Sequence, residues 1–134
     1  TCTRAQILTF LWRAVGSPTP NISNPFADTS SSDYYYGAAI WAYEKGMVSG
    51  NLFKGDTPCT RSSTVMYLWK NAGMPRVDTS SDFSDISPLD EYSDAVSWAV
   101  ENNVTLGTSE TTFSPDDICS RGQIVTFLNR AISE

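Results

Sequence analysis

Apolar residues recur at helical spacing in five stretches of the chain. Ile7, Phe10, Leu11, Ala14 and Val15 fall at i, i+3, i+4, i+7 and i+8. Tyr35, Ala38, Ala39, Ala42 and Tyr43 repeat that spacing, as do Tyr92, Ala95, Val96, Ala99 and Val100. Val65, Leu68, Trp69 and Ala72 form a fourth stripe, and Ile124, Phe127, Leu128, Ala131 and Ile132 a fifth. Each is one face of an amphipathic helix. Gly16, Gly46 and Gly73 stop three of these helices and Asn102-Asn103 a fourth, because glycine, then asparagine, best tolerates the left-handed C′ position. Pro18 and Pro75 prevent continuation. Thr3-Arg4-Ala5-Gln6 and Ser120-Arg121-Gly122-Gln123 fit the capping box, and Thr60 caps alone because Ser63 is a poor reciprocal partner. No strand is predicted, although short extended pieces are allowed near Phe26 and Phe83. Phe53 and Phe113 each stand alone in a polar loop, as anchors that tie a loop to the core do.

The stripes are copies of one unit. Cys-Thr/Ser-Arg occurs at Cys2, Cys59 and Cys119, spacings of 57 and 60. Phe26-Ala27-Asp28 matches Phe83-Ser84-Asp85, Trp41-Ala42 matches Trp98-Ala99, and Gly50 matches Gly107. An insertion in the Ser109–Thr112 stretch changes the offset, so that Phe53 matches Phe113. The chain therefore reads as a single domain over residues 1–134. Residues 1–18 are the second half of repeat one, residues 24–75 repeat two, and residues 81–134 repeat three. Ser17–Asn24 and Pro75–Ser81 are linkers rich in Pro, Ser, Thr and Asn. Two short helices cannot bury their own apolar faces, so the repeats are expected to share a core. Because the sequence starts mid-repeat, it is expected to be part of something longer.

Composition narrows the function. With 134 residues, 40% apolar and 18% charged, the chain suits one compact domain, and no apolar run is long enough to span a membrane. Fifteen carboxylates against nine basic residues make nucleic acid a poor partner. Histidine is absent, which removes Ser-His-Asp and Cys-His catalysis and the commonest zinc ligand. A carboxylate-pair hydrolase has no distinctive signal here, since fifteen carboxylates always offer pairs. The three cysteines read as small, half-buried apolar positions, with a three-thiolate metal site as the sharper alternative. Asp28–Asp33 and Asp78–Asp82 are acidic loops lacking the glycine and terminal glutamate of a calcium loop. Asn21-Ile22-Ser23 and Asn103-Val104-Thr105 fit a glycosylation sequon that often occurs by chance. No cofactor and no metal are expected.

The order Phe-x-Asp, Ala-x-x-Trp-Ala, Glu-Lys-Gly, glycine loop, Phe-Ser-Pro-Asp and Thr-Arg-Ala-Gln resembles the S-layer homology family. Phe26/Asp28, Glu44-Lys45-Gly46, Phe113-Ser114-Pro115-Asp116 and Thr3-Arg4-Ala5-Gln6 carry the match, which covers nearly the whole chain. The resemblance implies an all-α fold of helix-loop-helix repeats in a pseudo-threefold bundle. It implies a secreted, non-catalytic module that attaches a surface protein to a Gram-positive-type cell wall. Its ligand would be an anionic, often pyruvylated secondary wall polysaccharide, held in grooves between repeats, with no membrane insertion. By position, the family's groove arginine maps to Arg4, Arg61 and Arg121, its Phe-x-Asp aspartate to Asp28 and Asp85, and its loop glycine to Gly50 and Gly107. The chain departs from the family where Gln6, Ser63 and Gln123 replace a glutamate. At the groove tryptophan position it has Tyr34 and Glu91.

An arginine in a helix's first turn stands beside free amides and the positive end of the dipole, which suits a carboxylate ligand. The structural alternative has each arginine pairing with Asp28 or Asp85 to lock one repeat to the next. The tryptophans read as core, and Tyr35 lies on a buried stripe with Tyr34 and Tyr36 flanking it. Tyr34 could stack on a sugar, whereas Glu91 repels an anion. A groove with Tyr34 is therefore expected to bind, and one with Glu91 to bind weakly or not at all. The competing reading is a structural or protein-docking module of the same fold that has lost glycan binding, favoured by the changes at Gln6, Ser63, Glu91 and Gln123.

Overall fold

The computed structural model describes residues 2–77 and 83–132. The acidic stretch Asp78–Asp82 and part of the Pro75–Ser81 linker lie outside the described residues. Five helices follow in order: α1 (Arg4–Ala14), α2 (Tyr36–Glu44), α3 (Arg61–Asn71), α4 (Ser93–Glu101) and α5 (Arg121–Ile132). Local chemistry sets their ends. Thr3 and Gln6 close a reciprocal capping box on α1, and Ser120 and Gln123 do the same on α5. Thr60 accepts from the Ser63 amide without reciprocation. Asn103 takes the left-handed conformation after α4, at φ 58°. Helix α2 begins at Tyr36 without a side-chain cap, and the nearby Asp33 carboxylate instead accepts from the Ser30 amide and shapes a turn.

Helix α1 packs on α2 and α3 on α4, so the helix pairs cross repeat boundaries. Helices α1, α3 and α5 also touch one another and form the centre. Just before each central helix, the three cysteines close a ring of backbone hydrogen bonds. The Cys2 amide donates to the Cys119 carbonyl (3.2 Å), Cys119 to Cys59 (2.9 Å) and Cys59 to Cys2 (2.8 Å). Two short bridges flank the ring, Thr3 with Pro58 and Thr60 with Ile118. The extended pieces thus lie at the pseudo-threefold axis rather than near Phe26 and Phe83. There, single backbone bonds from Ala27 to Asn51 and Ser84 to Thr111 hold the chain.

All three cysteines are buried rather than half-buried. Burial pushes the Cys59 thiol up to about 12 and raises those of Cys2 and Cys119. Neutral thiols are poor metal ligands, and among the described residues no group of histidine, cysteine and carboxylates is arranged to hold a metal ion. Thr64 Oγ1 links two of the thiols, at 3.2 Å from Cys59 and 3.6 Å from Cys119.

The tryptophans divide by repeat position. Trp41 and Trp98 are core, whereas Trp12 and Trp69 are half-buried. Their indole N–H groups donate to the Pro18 and Pro75 carbonyls and clamp the linkers leaving α1 and α3. Phe53 and Phe113 are fully buried loop anchors. Tyr35 is half-buried and stacks on Phe53, with centroids 5.4 Å apart.

One polar atom stands out. Among the described residues the Thr9 hydroxyl on α1 is buried without a partner. Thr9→Val should therefore stabilise the fold by about 1 kcal/mol, read from the urea midpoint, since it removes an unsatisfied polar atom at nearly constant shape. A lower midpoint would show that the hydroxyl is satisfied in solution.

Candidate functional site

The arginines that open α1, α3 and α5 each act across a repeat boundary, in a cyclic pattern. Arg4 on α1 donates Nη1–H to the Phe53 carbonyl (2.8 Å) and Nε–H to Tyr67 Oη (3.1 Å), both in repeat two. Arg61 on α3 donates Nε–H to the Phe113 carbonyl (2.8 Å) and lies over the Phe127 ring at 5.3 Å, both in repeat three. Arg121 on α5 lies over the Phe10 ring of α1 at 5.4 Å. Phe10, Tyr67 and Phe127 occupy the same place in their repeats.

Asp28 and Asp85 do not take the arginines directly. Asp28 accepts from the Phe53 (2.8 Å) and Lys54 (2.9 Å) amides, and Asp85 from those of Phe113 (2.9 Å) and Ser114 (2.8 Å). The inter-repeat lock is therefore relayed. The carboxylate holds the amide of a loop phenylalanine whose carbonyl receives the neighbouring repeat's arginine. The hydrogen bonds from Phe53 and Lys54 hold the Asp28 carboxyl below its ordinary 3.8. At Asp85 burial acts in the opposite direction, but the Phe113 and Ser114 amides outweigh it and the pKa is again lowered. A carboxylate depressed in the folded state contributes stability above its unfolded pKa and loses it as pH falls through the folded value. Stability should thus fall as pH drops below 3.8. In Asp28→Asn and Asp85→Asn the acid limb should be shallower, as read by denaturant midpoints across pH. An unaltered limb in both would remove the carboxylate clasp.

Two grooves open beside the arginines. The first holds about 390 Å³ and runs between Arg4, the Met47–Ser49 loop, one face of α3 (Ser62, Ser63, Met66, Tyr67, Lys70) and the start of α4 at Glu91 and Tyr92. The second holds about 540 Å³ and is lined by Arg61, the Thr105–Gly107 loop, and Ser120, Gly122, Gln123, Thr126, Phe127 and Arg130 at and along α5. They are copies of one site, each made of an arginine from one repeat and a helix face and glycine-side loop from the next. Their charges differ. The first groove has Arg4 and Lys70 against Glu91, while the second has Arg61 and Arg130 with no carboxylate in its lining.

The residues singled out from sequence separate accordingly. Arg4 and Glu91 share the first groove, and Arg61 and Gly107 the second. Gly50 follows the Ser49 edge of the first. Arg121 is exposed and lines neither, and among the described residues no loop carbonyl takes the first α5 amides, whereas Thr57 and Gly55 take those of α1, and Asp117 and Pro115 those of α3. Tyr34 is 59% exposed, lies edge-on to Tyr35 at 5.1 Å, and lines neither groove. Asp28 instead edges a separate hollow with Tyr35 and Lys54–Thr57. In the second sequon Asn103 is exposed, whereas Val104 and Thr105 are buried.

Sequence reasoning passed over the far ends of both grooves. Lys70 and Arg130 sit there, and Arg13 holds the same place on α1. A basic residue nine positions after the helix arginine in every copy was the available signal.

The model of the S-layer homology domain family matches residues 25–64 and 82–125, more than half of the chain. No curated protein matches the sequence.

Proposed function

The chain belongs to the S-layer homology family, generally a cell-surface anchoring module, and from that premise we propose that it anchors its parent protein by holding an acidic wall polysaccharide in the groove between Arg61 and Arg130. That groove carries the reading because its lining has two guanidinium groups and no carboxylate, although the chain as a whole has a net charge of −6. An anion entering it meets no like charge at contact range. Arg61 uses Nε and Nη2 on Phe113 and Thr105, which leaves Nη1 without a protein partner among the described residues. Gln123, Ser120 and Thr126 add hydroxyl and amide groups suited to sugar hydroxyls, and the Phe127 ring and Leu106 add apolar contact. Nothing in this binding calls for catalysis. No described helix is long and apolar enough to cross a membrane.

The loss-of-binding reading is favoured at the other groove, where Glu91 lines the same cavity as Arg4. A purely anionic glycan should bind there weakly. The two grooves are told apart by Arg130→Gln. Arg130 is exposed, so the fold should survive, and affinity for the released wall polysaccharide should fall about tenfold with loss of one charge-assisted contact. Unchanged affinity with an intact fold would remove this groove from the site.

A further inference from the structure

The first groove brings charges of both signs to the lining of one cavity, beside one of the helix arginines. Arg4 at the start of α1, Lys70 in the last turn of α3 and Glu91 just before α4 all line it. Arg4 spends its contacts on a carbonyl and a phenol, both neutral acceptors. No ion pair joins Glu91 to Arg4 or Lys70 within the groove, and among the described residues nothing neutralises any of the three. Glu91 is exposed and lines a cavity of about 390 Å³, large enough for one sugar residue.

We infer that this groove selects a sugar carrying both a free ammonium and an acid group, with Glu91 taking the ammonium and Arg4 and Lys70 the acid. The inference deepens the reading of the grooves as glycan sites and rests on it. A purely anionic sugar would place its charge near Glu91, and a purely cationic one near Arg4 and Lys70. Only a ligand with both charges satisfies all three side chains at once. The two grooves then read different residues of a wall polymer: one acidic, the other an amino sugar with its nitrogen unacylated. Glu91 is the specificity-determining residue of the pair.

The test is an amide chemical-shift titration with two probes that differ only at nitrogen, muramic acid and N-acetylmuramic acid. Muramic acid should shift Ser63, Lys70 and Glu91 at a concentration about tenfold lower than N-acetylmuramic acid needs, the loss of one charge-assisted contact. In Glu91→Gln, with an unchanged fold, that preference should vanish. Equal response to both sugars, no response around Lys70 to either, or a preference that survives Glu91→Gln would overturn the inference. The second groove is reported separately by Gln123 and Arg130. Silence there with N-acetylmuramic acid would count against the acidic-glycan reading and leave the comparison at Lys70 legible.

Discussion

Arg61→Ala is expected to cost about 3 kcal/mol of folding stability, the sum of a charge-assisted hydrogen bond and buried cation–π contacts. Arg61 is 4% exposed, donates to the Phe113 carbonyl at 2.8 Å, and lies 4.8 Å from the Phe113 ring centre and 5.3 Å from that of Phe127. Removing it unpairs that carbonyl and leaves a cavity at the junction of repeats two and three. Burial lowers the pKa of the guanidinium, yet arginine stays protonated, so a charge is lost from the interior at any working pH. Arg61→Lys should recover only part of the loss, because an ammonium keeps the charge but cannot span ring and carbonyl as the planar fork does. Urea midpoints decide this. A change under about 1 kcal/mol would show that the arginine is a free ligand group and not also a staple between repeats. Its neighbour Arg130 is therefore the cleaner probe of binding, being exposed.

Gly107→Ala should be comparably damaging, at about 3 kcal/mol, because strain and overpacking add. Gly107 has φ 93°, and a Cβ there would lie 2.6 Å from Cε1 of Phe83 and 2.7 Å from the Thr112 carbonyl oxygen. Neither neighbour yields easily. Phe83 is buried against the anchor Phe113, with ring centres 5.7 Å apart, and the Thr112 carbonyl receives the Thr108 amide. Gly50 supplies the control. It has φ 90°, but nothing lies within 4 Å of its Cβ position, so Gly50→Ala should cost only the backbone strain, about 1 kcal/mol. Thermal melts of the two variants should differ clearly. Equal losses would mean that the contact with Phe83 relaxes.

Much of this fold is written locally in the sequence, and the site is not. Caps such as Thr3 with Gln6, the stop at Asn103 and the anchors Phe53 and Phe113 depend on residues within a turn or on one apolar side chain in a polar loop. Their signals survive without knowledge of the partner. The shared core was legible because one repeat of two short helices cannot bury its own apolar face, and the mutual contacts of α1, α3 and α5 supply it. The groove walls are different. Arg4 meets Tyr67 because α1 touches α3, and shares a groove with Glu91 because α3 packs on α4 across a repeat boundary. That pairing is a tertiary choice, which neither spacing nor composition fixes. For the same reason, direct Asp–Arg pairing was the natural reading of two opposite charges, and the interposed Phe53 and Phe113 peptides could not be seen. Lys70 and Arg130 escaped notice because a basic residue near a helix C-terminus already has an explanation in the helix dipole.

The central claim is attachment to the wall through its polysaccharide, and sedimentation with purified cell walls tests it most directly. The chain should pellet with walls that retain the acidic polysaccharide and stay in solution with peptidoglycan stripped of it. Equal sedimentation with both, or with neither, would contradict the account.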